Sequence, residues 1–443
     1  MAIWQRWRAH THGGVHPPQY KNTADSATVE MPPPEKIQLP MLQHIGAPCT
    51  PVVKIGDEVA AGQVIGDSDQ AVCAPIHSGI SGKVTGMPTL MLPGGRAVQA
   101  VEITSDGQQR IHESVKPPQV NSRDDFLKAV RASGLVGIGG AGFPTHIKLA
   151  PADVDAIDTL IINAAECEPF ITSDYRECME NPQDILDGIR ATVEFLPVRQ
   201  VVIAIERNKP DAIQELSQRV AEAAYSCEVR VKGLPTRYPQ GAEKVLIAAC
   251  TGRRVPPGQL PAQVGCVVMN VSTVAALARY LRTGMPLVQK RLTLDGPAIA
   301  KPGNVLVTIG TPIREVVEFC GGYQETPGKL LMGGPMMGLA LMDDELPVLK
   351  QNNAILAFGV EDAQPDPVGP CIRCGRCIRA CPMQLMPTSV DIAYHAGDVD
   401  AMRRLSVATC MECGCCSYSC PAHRPLVQTM RLAKDAVRRA AAE

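Results

Sequence analysis

Hydrophobic and polar positions divide the chain into blocks of different period. Between about residues 37 and 112, apolar and polar residues alternate and glycines interrupt them, as in VVKIGDEVAAGQVIG, VCAPIHSGISGKVTGM and RAVQAVEIT. Period two between glycine turns predicts short strands in a small all-β unit over 37–115. From about 120 to 285 helical and strand patterns take turns. RDDFLKAVRASG carries Phe126, Leu127 and Val130 at helical spacing and stops at Gly134, and PDAIQELSQRVAEAA and GAEKVLIAACTG also read as helices. IDTLIINAA and VRQVVIAIE are β-branched runs of buried-strand length. The alternation predicts an α/β layer on a largely parallel sheet over 120–285. Strand text returns over 286–355 in KRLTLDGPAI, GNVLVTIGTPI and KLLMGGPMMG, around a short helix in REVVEFCGG, and predicts a small α+β unit. The segment 366–443 holds the main cysteine cluster and ends in a helix through MRLAKDAVRRAAAE. Residues 1–36, rich in Pro and His, are expected to be extended.

Composition narrows what these blocks do. A length of 443 residues suggests about three domains, and 45% apolar residues fill several cores. Lys and Arg number 43 against 45 Asp and Glu, so bulk charge does not hold nucleic acid, and 4% aromatics leave little for stacking bases. The most apolar stretch, 264–281, is broken by Asn270, Ser272, Thr273 and Arg279, so neither a spanning helix nor a secretory signal is expected. Trp4 and Trp7 beside Arg6 and Arg8 admit two readings: an end that rests on a partner or membrane surface, and a frayed terminus. The β unit resembles the sandwich of lipoyl and biotinyl carriers. Its tip, GDSDQA from Gly66, lacks the lysine those carriers modify, so the unit is read as structural.

Seventeen cysteines without an export signal suit reduced thiols. Cys371, Cys374, Cys377 and Cys381-Pro382 recur 39 residues on as Cys410, Cys413, Cys416 and Cys420-Pro421. Each run reads C-x2-C-x2-C-x3-C-P, in which three close thiolates hold one cubane and the fourth reaches the other. Cys371, Cys374, Cys377 and Cys420 are thus assigned to one [4Fe–4S] cluster, and Cys410, Cys413, Cys416 and Cys381 to a second. Structural zinc uses paired short units and four ligands per ion, which these runs fit poorly. Cys415 and the eight scattered cysteines are expected to pack in cores.

GIGGAGFPTHIKL satisfies G-x-G-x-x-G at Gly137, Gly139 and Gly142, with Gly140 between them. A helical stretch precedes it, which excludes an ordinary Rossmann fingerprint. A glycine-dense loop still lets a flat ring or phosphate lie against backbone, and Phe143-Pro144 and Lys148 add a stacking face, a helix start and a cation. A plain tight turn is the competing reading. In NAAECEPFITSDYR, Asn163, Glu166 and Glu168 follow a strand, at the carboxyl edge where open α/β sheets bind ligands. A solvated strand end is the alternative.

The order of this loop, the acidic segment, YPQGAEKVL at Tyr238 and NVSTVAAL at Asn270 is similar to that in the flavin- and NADH-binding subunit of respiratory complex I. That likeness implies FMN lined by the glycine loop, Asn163, Gly241, Glu243, Asn270 and Thr273, and NADH faced by Phe143, Lys148, Glu166 and Glu168. Ile138 and Cys167 stand where that family has an arginine and a glycine, and its single-cluster motif is missing.

A second likeness spans nearly the whole chain. GGVHPP, QHIGAPCTPVVKIGDEVAAGQ, APIHSGISGKV, GGAGFPTHIKL, NAAECEP, CIRCGRCIRACPMQLMP and CGCCSYSCPAHRPLVQ resemble the RnfC family of Rnf electron transport complexes, in family order. The resemblance implies a multidomain α/β chain. Its parts are a barrel-sandwich β unit, a Rossmann-like FMN/NADH domain, a soluble-ligand-binding β-grasp over 286–355 and a helical ferredoxin-like domain with two [4Fe–4S] clusters. It also implies a peripheral subunit on the cytoplasmic face of the bacterial inner membrane. There NADH reduces FMN, and electrons pass singly through the clusters to the iron–sulfur RnfB protein, the membrane subunits and ultimately ferredoxin, with Na⁺ or H⁺ transport. A cobalamin reductase of the microcompartment type shares these modules, but the leading β unit and GGVHPP favour Rnf. An adaptor that only relays electrons would not need the glycine loop and NAAECEP. His77, His146 and His395 lack paired metal spacing and are read as packing or surface residues. The tail residues Arg431, Lys434, Arg438 and Arg439 are read as a solvated helix face, with partner docking as the alternative.

Overall fold

The computed structural model describes residues 12–442, so Trp4, Arg6, Trp7 and Arg8 lie outside the described residues. Alternation in the leading β unit does what period two requires. Ile37 and Leu39 of strand Lys36–Pro40 point inward against Ile103 and Val101 of strand Arg96–Ser105, while Lys36 stays exposed. Strands Gly82–Gly86, Glu58–Val59 and Thr89–Leu92 complete this sheet, and Thr50–Pro51, Val64–Asp67 and Ile76–His77 form a second.

The next unit is built on four parallel strands, in spatial order Glu228–Leu234, Gln200–Glu206, Thr159–Ala164 and Cys266–Asn270. Both faces are covered, which is why the central strands read as unbroken apolar runs. Leu160, Ile162, Val201 and Ile203 enter one core, and Ile161, Val202 and Ala204 enter another with Leu246 and Ile247 of helix Glu243–Thr251. Helix Pro182–Phe195 crosses helix Val271–Thr283 at Gly188, where a Cβ would stand 2.1 Å from the Val274 carbonyl oxygen.

A six-stranded mixed sheet follows, in the order Thr28–Glu30, Gly303–Thr308, Gln289–Asp295, Ala354–Gly359, Pro327–Met332 and Leu339–Leu341, with helix Ile313–Phe319. Its first strand comes from the leading segment. Residues 12–30 turn once at 22–25 and are tied to three units. Gly14 N–H donates to the Ala380 carbonyl (2.8 Å), Val15 and Tyr238 exchange backbone bonds (2.7 and 2.9 Å), and Thr28–Glu30 pairs in parallel with Asn304–Leu306. The apolar side chains of the first sheet, one face of the parallel sheet and the mixed sheet merge in one contiguous core.

The cysteine-rich unit carries helices Arg376–Ala380, Pro387–His395, Val399–Arg404, Cys415–Tyr418 and Leu426–Ala442 around Val390, Met402, Val407 and Met430. Two of the four basic tail residues are not on a solvated face. Arg431 and Lys434 turn inward to Glu412, and Lys434 Nζ also donates to the Cys410 carbonyl (2.9 Å); Arg438 and Arg439 pair with Asp435 on the outside. Among the described residues no helix is long and apolar enough to cross a membrane.

Candidate functional site

The carboxyl end of the parallel sheet gathers residues that lie far apart in sequence. Asn163 and Asn270 are register partners at adjacent strand ends. Asn270 caps helix Val271–Thr283: its Oδ1 accepts from Ser272 and Thr273 N–H (2.8 and 3.3 Å), leaving its Nδ2 to donate to Asp174 (2.7 Å). Thr273 Oγ1 in turn accepts the Ile138 N–H (3.0 Å), which docks the glycine loop on this helix start. Gly139 and Gly142 have φ of +80° and +69°, and a Cβ on Gly139 would come within 3.6 Å of Asn270 and Asn353. Gly140 faces open space, and Gly137 N–H closes the turn on the Phe143 carbonyl (2.9 Å). Asn163 Nδ2 donates to the Gly241 carbonyl (2.9 Å). The loop, Asn163, Gly241, Asn270 and Thr273 therefore share one edge. Amides, a hydroxyl, bare glycine backbone and a helix N-terminus together suit a flat ring with a phosphate. Glu243 and Lys148 are also at this edge, paired with each other at 2.8 Å and both partly exposed.

Glu166 and Glu168 follow the same strand, but neither side chain is free. Glu166, at φ +48°, accepts from the N–H groups of Asp174 and Tyr175 (2.6 and 3.3 Å) at the start of helix Ser173–Glu180. Glu168 accepts from Met336 and Met337 N–H (3.1 and 2.9 Å) and faces the hydroxyl of the fully buried Tyr238 (3.5 Å). Burial pushes Glu168 up to about 7.

Two lysines with no motif around them hold the NAAECEP backbone. Lys21 Nζ donates to the carbonyls of Glu166, Glu168 and Ile171 (2.9, 2.8 and 2.6 Å), and Lys209 Nζ to that of Ala165 (2.8 Å). Burial, then the neighbouring Lys209, lowers Lys21 to about 8. Asp174, which holds Asn270 and Ser272 (2.7 and 2.6 Å), and Asn353 are equally invisible to motif reading. Each lies outside a recognisable spacing and reaches the site only through the fold.

The second cysteine run folds into a cradle. Cys410, Cys413 and Cys416 line one apolar cavity with Cys381 of the first run, beside Leu385, Val427 and Met430. Leu385 and Glu412 N–H point at the Cys381 and Cys410 sulfurs (3.4 and 3.3 Å). Cys415 is a fifth cysteine in the lining; the four of the two runs, with backbone donors and no carboxylate or imidazole, fit a cubane. Of the other four, Cys377 and Cys420 pack against Leu426, Cys371 and Cys420 both face Arg424, and Cys371 and Cys374 are exposed. Between cradle and sheet edge the contacts are direct. Cys167, whose sulfur accepts the Gly241 N–H (3.2 Å), and Tyr238 share a small core with Cys413 and Cys415.

Comparisons with known proteins identify the domains that carry these residues. Residues 9–108 match the RnfC barrel sandwich hybrid domain, 130–279 the Nuo51 FMN-binding domain, 291–340 the SLBB domain and 366–428 a 4Fe-4S dicluster domain. The chain is 43% identical over 385 residues to the C subunit of the proton-translocating ferredoxin:NAD(+) oxidoreductase complex of Clostridium ljungdahlii, covering 86% of this chain and 83% of that one. It is 41% identical over 430 residues to the Na(+)-translocating counterpart of Acetobacterium woodii, covering 95% and 96%. An air-oxidised NAD+-reducing [NiFe]-hydrogenase shares the fold at a TM-score of 0.50 and 19% identity, over 72% of this chain and 66% of that one. With an FMN-binding domain and a dicluster domain in one polypeptide, the chain belongs to the RnfC family, an oxidoreductase component of ion-translocating ferredoxin:NAD(+) oxidoreductase complexes.

Proposed function

We propose that this chain is the peripheral subunit, on the cytoplasmic face of the bacterial inner membrane, that exchanges electrons between NAD(H) and the iron–sulfur partners of an ion-translocating Rnf complex, ultimately ferredoxin, with Na⁺ or H⁺ moved in consequence. Its cofactors are FMN, NAD(H) and two [4Fe–4S] clusters. When bound, these groups supply hydride transfer and one-electron relay. The protein holds and orients them. The glycine loop, Asn163, Gly241, Asn270 and Thr273 position FMN, Phe143 and Lys148 flank the nucleotide, and Glu166 and Glu168 shape the loop beneath it.

The observation that carries the reading is the shared packing of Cys167 and Tyr238 with Cys413 and Cys415. It brings the sheet edge next to the cradle of Cys381, Cys410, Cys413 and Cys416, which supports the reading that a cluster held there is the flavin's neighbour. In the Cys371, Cys374, Cys377 and Cys420 set, Cys371 and Cys374 are exposed. Exposed Val368 and Ile372 with Arg373 and Arg376 around it suit an acidic iron–sulfur partner. An anaerobic NADH titration of the intact chain, followed by optical and EPR spectra, tests this. Flavin bleaching followed by two cubane signals is expected, and a chain that takes up iron but neither retains FMN nor oxidises NADH refutes it.

A further inference from the structure

The leading β unit buries a histidine and two cysteines that belong to neither cysteine run. His44, Cys49 and Cys73 are all buried, and one ligand atom from each lies within 4.8 Å of the others. The two sulfurs are 3.4 Å apart, and Cys49 Sγ donates to the Ala74 carbonyl at 3.4 Å. His44 Nε2 sits 3.0 Å from the Ala47 carbonyl oxygen, while its Nδ1 is buried without a hydrogen-bond partner.

The sheet assembles this group. Pairing of Thr50 with Asp67 and of Gly66 with Ile76 draws Cys49 and Cys73 together although 24 residues separate them. Two glycines permit the close approach. A Cβ on Gly46 (φ +130°) would stand 2.0 Å from the Val72 carbonyl oxygen, and one on Gly66 would meet Met41 at 2.5 Å and Cys49 at 3.3 Å.

Core packing does not account for these three residue types. Alanine or valine would fill the space without an idle imidazole nitrogen. The imidazole is held neutral, the form that ligates metals, because burial drives His44 down to about 4. A buried lysine lies alongside: Lys350 Nζ donates to the Pro75 and Gly134 carbonyls (2.6 and 2.7 Å), and burial lowers it to about 8.

We propose that His44, Cys49 and Cys73 bind one structural zinc ion, with the Ala74 carbonyl or a water completing a tetrahedron. Binding releases both thiol protons to solvent and leaves a neutral site of two thiolates, one imidazole and Zn²⁺. The ion pins the 44–49 turn to the 72–74 loop. That turn supports the glycine loop directly, because Ile45 N–H donates to the Gly142 carbonyl (3.1 Å) and the His44 Cα lies 3.4 Å from where a Gly142 Cβ would be.

The test is metal analysis of the intact chain, purified anaerobically without chelator, with zinc, iron and flavin measured separately. About one zinc per chain is expected, with sulfur and nitrogen neighbours in its X-ray absorption spectrum. Cys49→Ser and Cys73→Ser should each lower zinc about tenfold or more while iron stays at about eight per chain, and Cys266→Ser should leave both unchanged. Zinc retained in both variants, wild-type chain without zinc, an all-sulfur zinc shell, or a Cys49–Cys73 disulfide found by mass spectrometry would each overturn the proposal. The wild-type spectrum decides the matter even if a variant fails to fold.

Discussion

Asn270 serves the helix and the site with one amide. Its oxygen caps the helix of residues 271–283, and its nitrogen satisfies the buried Asp174. Asn270→Ala removes the cap, which costs about 1 kcal/mol, and also strips a donor from a buried carboxylate. A lower Tm together with weaker flavin retention is expected, and calorimetry with flavin release on dilution reads both. Glu168 shows the opposite economy, because its carboxyl is buried and ionises only near 7. Its native value lies above the unfolded one, so the fold holds the proton more tightly than the unfolded chain does. Glu168 therefore withdraws stability as pH rises from about 4.5 through about 7. Glu168→Gln should gain a few degrees of Tm relative to wild type across that window and little below it. A parallel pair of Tm–pH curves would show that Glu168 does not titrate as described.

At the scale of elements, short connectors do the joining. The 333–338 loop takes its bonds from Glu168 on one side and meets the cysteine-rich unit on the other, where a Cβ on Gly414 (φ +76°) would stand 3.0 Å from the Met336 carbonyl oxygen. Gly414→Ala adds about 1–2 kcal/mol of left-handed strain and pushes the two apart. Because Gly414 also lines the cradle, the expected result is several-fold slower electron transfer from flavin to cluster, seen in rapid-mixing spectra and normalised to the iron content measured on the same sample. The leading segment is a second connector, since residues 14, 15 and 28–30 bond three different units. Deleting residues 12–30 should lower Tm and expose Gly303–Thr308 as a sheet edge, detected as faster hydrogen exchange in that strand.

At the scale of the whole molecule, the proposed function predicts an order for the relay. If the cradle of Cys410 is the flavin's neighbour, Cys410→Ser should leave NADH able to bleach the flavin while the remaining cluster reduces at least about tenfold more slowly. Cys371→Ser should keep fast flavin-to-cluster transfer but lose transfer to an external acceptor. Equal defects in the two variants would contradict the order.

The dicluster character of the cysteine runs and the parallel-sheet strands are readable because their patterns are local. A C-x2-C-x2-C-x3-C-P run encodes its ligands in its own spacing, and an apolar β-branched run encodes a strand covered on both faces. Strand Glu228–Leu234 is harder, since at the sheet edge it alternates weakly and its side chains are mostly half-buried. Lys21, Lys209, Asp174 and Asn353 carry no pattern. Each acquires its role when a distant backbone or amide arrives beside it, and no periodicity records that. The same holds for the inward turn of Arg431 and Lys434, the partners of Glu168, and the meeting of His44 with Cys49 and Cys73. Spacing along a chain specifies what its neighbours in sequence can do together. Which remote groups come to share a buried space is decided only when the sheets pack and desolvation makes an unpaired buried charge or polar atom costly.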